Sequence, residues 1–138
     1  AREKRQLYGC VEQDVKPVVG TLREQITLFD AAITDTAVWE ALRLARLEGV
    51  VRGLAKGLDT DMSLSLFSRG QLQLLSIARA VVLSPKVLLL DEITANVDSQ
   101  TEQDVLQALA AAAEGRTVLS ISHRLSTLMK DKRKIHLT

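Results

Sequence analysis

Residues 87–92 read Val-Leu-Leu-Leu-Asp-Glu. Its four consecutive apolar residues, Val87–Leu90, predict a short strand that is buried on both faces of a parallel sheet. Apolar stretches at Leu7–Val11 and Thr117–Ile121 predict one strand before it and one after it. Because helical stretches separate these strands, the sequence predicts an α/β fold with three parallel strands and Val87–Leu90 in the middle.

The stretches between the strands carry three residue pairs that are typical of helix capping boxes. These pairs are Thr21 with Glu24, Ser68 with Gln71, and Ser99 with Glu102. They predict helices over about 21–26, 68–84 and 99–113, and Gly115 is well placed to end the last one. Apolar periodicity predicts one long helix over 36–54, and a short helix is expected over 124–130. Cys10 is expected to be a small buried residue.

Length and composition limit the classes of protein that fit. A chain of 138 residues with 46% hydrophobic and 25% charged residues is typical of one soluble domain. The formal charge of +1 provides no electrostatic basis for binding nucleic acid. One cysteine fits a reducing compartment, and no apolar run reaches the roughly 18 residues of a membrane helix. The missing initiator methionine suggests a fragment.

Two short segments are candidate sites on chemical grounds. Asp91 and Glu92 follow the central strand, where ligands bind in open α/β sheets, and their carboxylates suit a Mg²⁺ ion and an attacking water. Alternatively, they only mark a strand leaving the core. Ser68 and Gly70 begin a helix whose free amides favour an anion. Taken alone, this second segment is better explained as an ordinary helix cap followed by a core helix.

Residues 67–71, Phe-Ser-Arg-Gly-Gln, resemble the LSGGQ signature of the ATP-binding domains of ABC transporters. Four further motifs follow the family's order and spacing. They are the Q-loop and its continuation at Val11–Asp14 and Gly20–Glu24, the Walker B segment ending in Asp91-Glu92, the D-loop at Ala95–Asp98 and the switch-histidine segment at Ser120–Thr127. Residues 20–24, 57–60 and 123–127 resemble the exporter branch of the family.

The resemblance implies roles for individual residues. It implies ATP contacts for Gln13, Ser68, Arg69, Gly70, Gln71 and Asp98, Mg²⁺ contacts for Gln13 and Asp91, and catalytic roles for Glu92 as general base and His123 as the γ-phosphate switch. It also implies part of a three-layer P-loop NTPase-type parallel sheet. In that arrangement residues 1–20 and 85–138 form the α/β core, and a helical signature subdomain is inserted at 21–84.

The same resemblance implies partners and a setting. The parent protein is expected to bind ATP and Mg²⁺ at an interface with a second ABC ATP-binding domain, and to couple hydrolysis to transport by transmembrane domains. The chain is then expected to be a soluble part of a transporter at the cytoplasmic face of a membrane. The runner-up hypothesis is a non-catalytic half that contributes only a signature face or a dimerisation surface.

The sequence departs from the family pattern in three places. No G-x-x-x-x-G-K-[ST] motif occurs, so the isolated chain is expected not to hydrolyse ATP, and whether it is itself an enzyme stays open. Arg69 replaces a glycine, which either strengthens anion contact or blocks close approach. The loop 61–66 is shorter than the exporter pattern. Without the strand that precedes the missing motif, Thr117–Ile121 is expected to leave an unpaired edge and to promote self-association.

Overall fold

The computed structural model describes residues 6–12, 15–90, 99–120 and 134–136. The strands are β1 (Tyr8–Val11), β2 (Val87–Leu90), β3 (Thr117–Ser120) and β4 (Lys134–His136). The α-helices are α1 (Leu22–Thr27), α2 (Asp35–Leu44), α3 (Glu48–Arg52), α4 (Arg69–Val81) and α5 (Ser99–Ala113). Two 3₁₀ turns, Gly57–Asp59 and Leu64–Leu66, lie between α3 and α4. The helix predicted over 124–130 lies outside the described residues.

The strands form one parallel sheet in the order β1-β2-β3-β4. Val11 pairs with Leu90, and Leu90 in turn pairs with Ser120, so the first three strands end in register. The predicted α/β class, the parallel pairing and the central position of Val87–Leu90 are therefore confirmed.

The prediction of an unpaired edge at Thr117–Ile121 is wrong. β4 pairs with β3 in parallel, with Val118 opposite Lys134 and Ser120 opposite His136. The expectation rested on the missing strand that the family resemblance places beside Thr117–Ile121. However, the amides and carbonyls of a strand edge pair with any extended segment that reaches them, whatever its side chains. The expected self-association therefore loses its structural reason.

The prediction that the central strand is buried on both faces is also wrong for the described part of the chain. Leu88 and Leu90 are buried, whereas Val87 and Leu89 are only half-buried. The same alternation occurs in β1, where Cys10 is exposed rather than buried. An apolar run shows that a strand can be covered on both faces, but among the described residues the sheet packs closely on one face only.

The buried face of the sheet packs against α4 and α5. Val11, Leu88 and Val118 belong to one hydrophobic cluster with the buried side chains of both helices. Gly9 permits the close approach of α4, because a Cβ at this position would lie 2.2 Å from the carbonyl oxygen of Ala80. The residue type at position 9 therefore sets how near the helix lies to β1.

The long helix predicted over 36–54 is instead two helices, α2 and α3. They are separated at Ala45–Leu47, where Arg46 has a φ of 65°. A left-handed residue interrupts the helical hydrogen-bond ladder although the apolar periodicity continues through it. The other boundaries agree with expectation, since Thr21 and Ser68 cap α1 and α4 and Gly115 follows α5 with a φ of 72°.

Candidate functional site at the start of helix α4

Helix α4 begins with a complete capping box. The Oγ of Ser68 accepts a hydrogen bond from the Gln71 amide at 3.1 Å, and the Oε1 of Gln71 accepts one from the Ser68 amide at 2.9 Å. Phe67, immediately before the cap, is 7% exposed and belongs to the core. The buried phenyl ring and the paired cap together fix where the helix begins.

The capping box leaves donors at the open end of α4. The Leu72 amide is the first that donates within the helix, to the Ser68 carbonyl. The amides of Arg69 and Gly70 precede it and bond to no other described residue, although Gly70 is buried. The Ser68 hydroxyl accepts from Gln71 but keeps its own proton available for donation. Because α4 spans 13 residues, its dipole adds to the attraction of these donors for an anion.

Arg69 adds a full positive charge to this end of the helix. Its side chain is exposed, and no other described residue forms an ion pair with it. The structure thus brings together Ser68, Arg69, Gly70 and Gln71, four of the residues expected to contact ATP. Their arrangement is able to hydrogen bond a phosphate without rearrangement of the cap.

The remaining predicted site residues lie outside the described residues. They are Gln13, Asp91, Glu92, Asp98 and His123. The structure does describe the strands that directly precede four of them in sequence, namely Gln13, Asp91, Glu92 and His123. β1, β2 and β3 end side by side at Val11, Leu90 and Ser120, at one edge of the sheet.

A buried serine on α4 was not recognised as important in the sequence. Ser76 is 3% exposed, and its Oγ accepts a hydrogen bond from the Glu12 amide at 3.0 Å. Glu12 directly precedes Gln13, so this bond ties the predicted Q-loop to the signature helix. A single hydroxyl within the apolar run Leu74–Ala78 was the signal available in the sequence.

Arg79 and Gln25 form a second link that the sequence did not reveal. Arg79 Nη1 donates to the Lys16 carbonyl oxygen at 3.0 Å, and its Nε donates to the Gln25 carbonyl oxygen at 2.5 Å. The fully buried Gln25 amide side chain donates to the Val18 carbonyl at 2.7 Å and accepts from the Val18 amide at 2.9 Å. The chain after Gln13 is therefore also bonded to α4.

The charged residues around α1 form ion pairs that hold neighbouring elements together. Arg23 contacts Asp35 at 2.8 Å and Asp59 at 2.5 Å, which joins α1 to the start of α2 and to the first 3₁₀ turn. Hydrogen bonds to the two carboxylates raise the pKa of the Arg23 guanidinium, and the bond from Arg23 lowers the pKa of Asp35. These groups stabilise the helical segment and lie apart from the open end of α4.

A groove of about 520 Å³ lies between the loop that follows Gln13 and the loop that precedes α4. It is lined by residues 17–20 and 61–64. Two of its apolar side chains point into solvent, since Val19 is 96% exposed and Leu64 is 56% exposed. Within the described ranges no helix is long and apolar enough to cross a membrane.

The motifs and the fold agree with comparisons against known proteins. The family model described as "ABC transporter" matches residues 1–95 of the chain. The chain therefore belongs to the ABC transporter family, and its sequence corresponds to the ATP-binding domain of exporter-type members.

Two relatives and one solved structure illustrate the match. The chain is 41% identical, over 96% of its length, to a multidrug resistance ABC transporter ATP-binding and permease protein of Lactococcus lactis subsp. cremoris, and 41% identical, over 94%, to the ABC transporter ATP-binding protein YwjA of Bacillus subtilis. It covers 23% of each of these proteins. A structure of a bacterial Atm1-family ABC exporter with ATP bound matches 98% of the chain at 33% identity and a TM-score of 0.76, and the chain covers 24% of it.

Proposed function

We propose that this chain forms the signature-bearing part of an ATP-hydrolysing unit whose hydrolysis drives export across a membrane. The observation that carries the proposal is the open start of α4. There the proton of the Ser68 hydroxyl and the amides of Arg69 and Gly70 meet no described acceptor, and Ser68 and Arg69 are exposed whereas Gly70 is buried. Open donors at the start of a helix suit a phosphate that the described residues do not supply.

That phosphate is the γ-phosphate of an ATP held by a second ABC ATP-binding domain. Exposure of Ser68 and Arg69 supports this arrangement, because a partner surface reaches them without unfolding any part of the core. The site is then completed by dimerisation, and Asp98 contributes to the same interface.

The chemistry is an in-line attack of water on the γ-phosphate, supported by positioning and charge stabilisation. Glu92 polarises the water as general base, and Gln13 and His123 contact the γ-phosphate. Asp91 supplies the carboxylate oxygen that Mg²⁺ prefers, and the ion, when bound, neutralises charge on the phosphates. The motif order supports these roles, as does the common edge at which β1, β2 and β3 end.

The same proposal assigns each part of the chain to a subdomain. Residues 1–20 and 85–138 act as the α/β core of a three-layer P-loop fold, and residues 21–84 act as the helical signature subdomain. In support, all four described strands fall in the first group and α1–α4 fall in the second. The groove between residues 17–20 and 61–64 receives an apolar loop of the transmembrane partner, which would cover Val19 and Leu64.

The test joins the chain to the upstream half of the ATP-binding domain of the Lactococcus lactis relative, which supplies the phosphate-cradling loop. We expect the fused protein to hydrolyse Mg·ATP as a dimer. Glu92→Gln should lower kcat by about 10²–10⁴ and preserve ATP binding, because the amide keeps the shape but does not accept a proton. Turnover that survives Glu92→Gln would remove Glu92 from the mechanism.

The second candidate is the non-catalytic half, and the exposed cation of Arg69 at the signature favours it. The two candidates separate when the unfused chain is mixed with a complete ABC ATP-binding domain. A pure signature donor raises the partner's ATP turnover through Ser68, and Glu92→Gln in the chain leaves that gain unchanged. Mg²⁺-dependent hydrolysis by the unfused chain alone, if lost in Glu92→Gln, would contradict both candidates.

A further inference from the structure

Helix α4 holds the backbone on both sides of residues 13 and 14. Before them, the Glu12 amide donates to Ser76 Oγ. After them, the Lys16 carbonyl accepts from Arg79. Ser76 and Arg79 lie three residues apart and therefore on one side of the helix. The backbone before Gln13, at Glu12, and after it, at Lys16, is thus attached to the same helix face.

We propose that Ser76 and Arg79 are positioning residues for Gln13. They fix the backbone at Glu12 and at Lys16 to the helix whose first turn carries Ser68, so that these two attachment points follow the signature. The inference rests on the proposed role of Gln13 at the γ-phosphate. It deepens that role by naming the side chains that set the position of the loop.

The hydroxyl of Ser76 is better explained by this link than by packing. The position is 3% exposed and lies in an apolar helix, where alanine would pack with less cost of desolvation. A buried hydroxyl of this kind is retained where it satisfies another group, and here the group is a backbone amide 64 residues away in the chain. Ser76 lies eight residues after Ser68, about 12 Å along the axis of a rigid helix.

The attachment through Arg79 holds the loop after Gln13 at two points rather than one. Gln25 bonds both the amide and the carbonyl of Val18, and Arg79 Nη2 approaches Gln25 Oε1 at 3.4 Å. Arg79 therefore reaches the loop directly at Lys16 and indirectly at Val18. A displacement of α4 pulls on both sides of Gln13.

The first test measures amide hydrogen exchange by NMR in the complete chain without nucleotide. Ser76→Ala removes the acceptor of the Glu12 amide, and the loss of one hydrogen bond should speed exchange of that amide roughly ten-fold. The Leu88 amide in the central strand serves as the internal reference, because a purely structural defect accelerates both amides equally. Equal acceleration of Glu12 and Leu88 would overturn the proposal.

Conservative and remote variants sharpen this measurement. Ser76→Thr keeps the hydroxyl and should restore slow exchange at Glu12. Arg79→Gln should accelerate exchange at Val18 more than at Leu88. Ser65→Ala removes an exposed serine whose hydroxyl bonds to the Ser63 hydroxyl, and it should change neither amide. Fast exchange at Glu12 in Ser76→Thr would contradict the role of the hydroxyl.

The second test uses the ATP-hydrolysing fusion. Ser76→Ala should lower kcat about three- to ten-fold and leave the KM for ATP nearly unchanged, since the γ-phosphate is mispositioned while the rest of the nucleotide is held elsewhere. Selective exchange at Glu12 with an unchanged kcat would reduce the link to a structural one and overturn the proposal. An inactive wild-type fusion would refute the proposed function, and the positioning role with it, whereas the exchange data would still report whether the link forms.

Discussion

Helices α1 and α4 begin with the same chemical device but meet different surroundings. In α1, Thr21 and Glu24 form a capping box, and the amide of Leu22 donates to the Thr60 carbonyl at 2.9 Å. The Gly20 carbonyl in turn accepts from the Met62 amide at 2.9 Å. The backbone of residues 60–62 therefore covers the start of α1 and satisfies its Leu22 amide.

The start of α4 has no such cover among the described residues. Ser68 and Arg69 are exposed, and the amide of Arg69 is left for an external acceptor, whereas Gly70 is buried. A capping box therefore marks where a helix begins but does not by itself mark a binding site. The distinguishing feature is what lies beyond the cap, and this feature depends on tertiary structure.

The largest expected effect on stability concerns α1, whose start is covered by other parts of the protein. Gln25→Ala should lower the free energy of unfolding by about 2–4 kcal/mol, because the amide and carbonyl of the half-buried Val18 lose their partner and a cavity forms in place of the buried Gln25 side chain. Urea unfolding measures the change. Gln107→Ala, at an exposed position of α5, is the control and should have an effect below about 0.5 kcal/mol. A loss no larger than that of Gln107→Ala would mean that water satisfies Val18.

The two caps themselves provide the next prediction. Thr21→Ala and Ser68→Ala should each cost about 1 kcal/mol of unfolding free energy, since each removes one cap bond. Only Ser68→Ala should also impair the fusion's ATP turnover, by about ten- to hundred-fold for one lost bond to a charged phosphate. Equal turnover in the two variants would contradict the distinction between the helix starts.

The sequence predicted the parts of the fold that depend on local patterns. The strand at Val87–Leu90, its central place and the caps at Thr21 and Ser68 follow from apolar runs and short polar signals. The break at Arg46 was missed because arginine carries no signal for a left-handed conformation. The pairing of β4 was missed because pairing is a property of two backbones rather than of one sequence.

In the candidate site, too, the features set by local sequence were predicted and those set by tertiary contacts were not. The first turn of α4 was predicted from Ser68 to Gln71, and the structure shows which of its donors are open. The contacts of Ser76 and Arg79 were not predicted, because each joins groups more than fifty residues apart. No local pattern specifies which carbonyl an arginine reaches.

Loss of the Arg23 ion pairs at α1 should have a smaller effect on stability than loss of either cap. Arg23→Ala should cost no more than about 1 kcal/mol, because both of its carboxylate partners are largely exposed and screened. The pKa of Asp35 is lowered in the folded state, so the stabilisation is present above the ordinary pKa of 3.8 and is lost as the pH falls through the lowered value. The difference in unfolding free energy between wild type and variant should therefore narrow in acid. A difference independent of pH would exclude the Asp35 pair as its source.

Arg69 should give the smallest effect on stability and a distinct effect on nucleotide affinity. Arg69→Gln keeps helix propensity and should change the unfolding free energy by less than about 0.5 kcal/mol, since the side chain is exposed and has no other described partner. If the charge strengthens phosphate contact, removing it should raise the fusion's KM for ATP at low salt. This difference should vanish at high ionic strength, where the screening length falls to about 3 Å. Arg43→Gln removes an exposed charge on α2 and should leave the KM unchanged. A lower KM in Arg69→Gln would show instead that the arginine blocks the close approach that glycine permits, and the open start of α4 would then bind its phosphate less tightly than the uncharged donors alone allow.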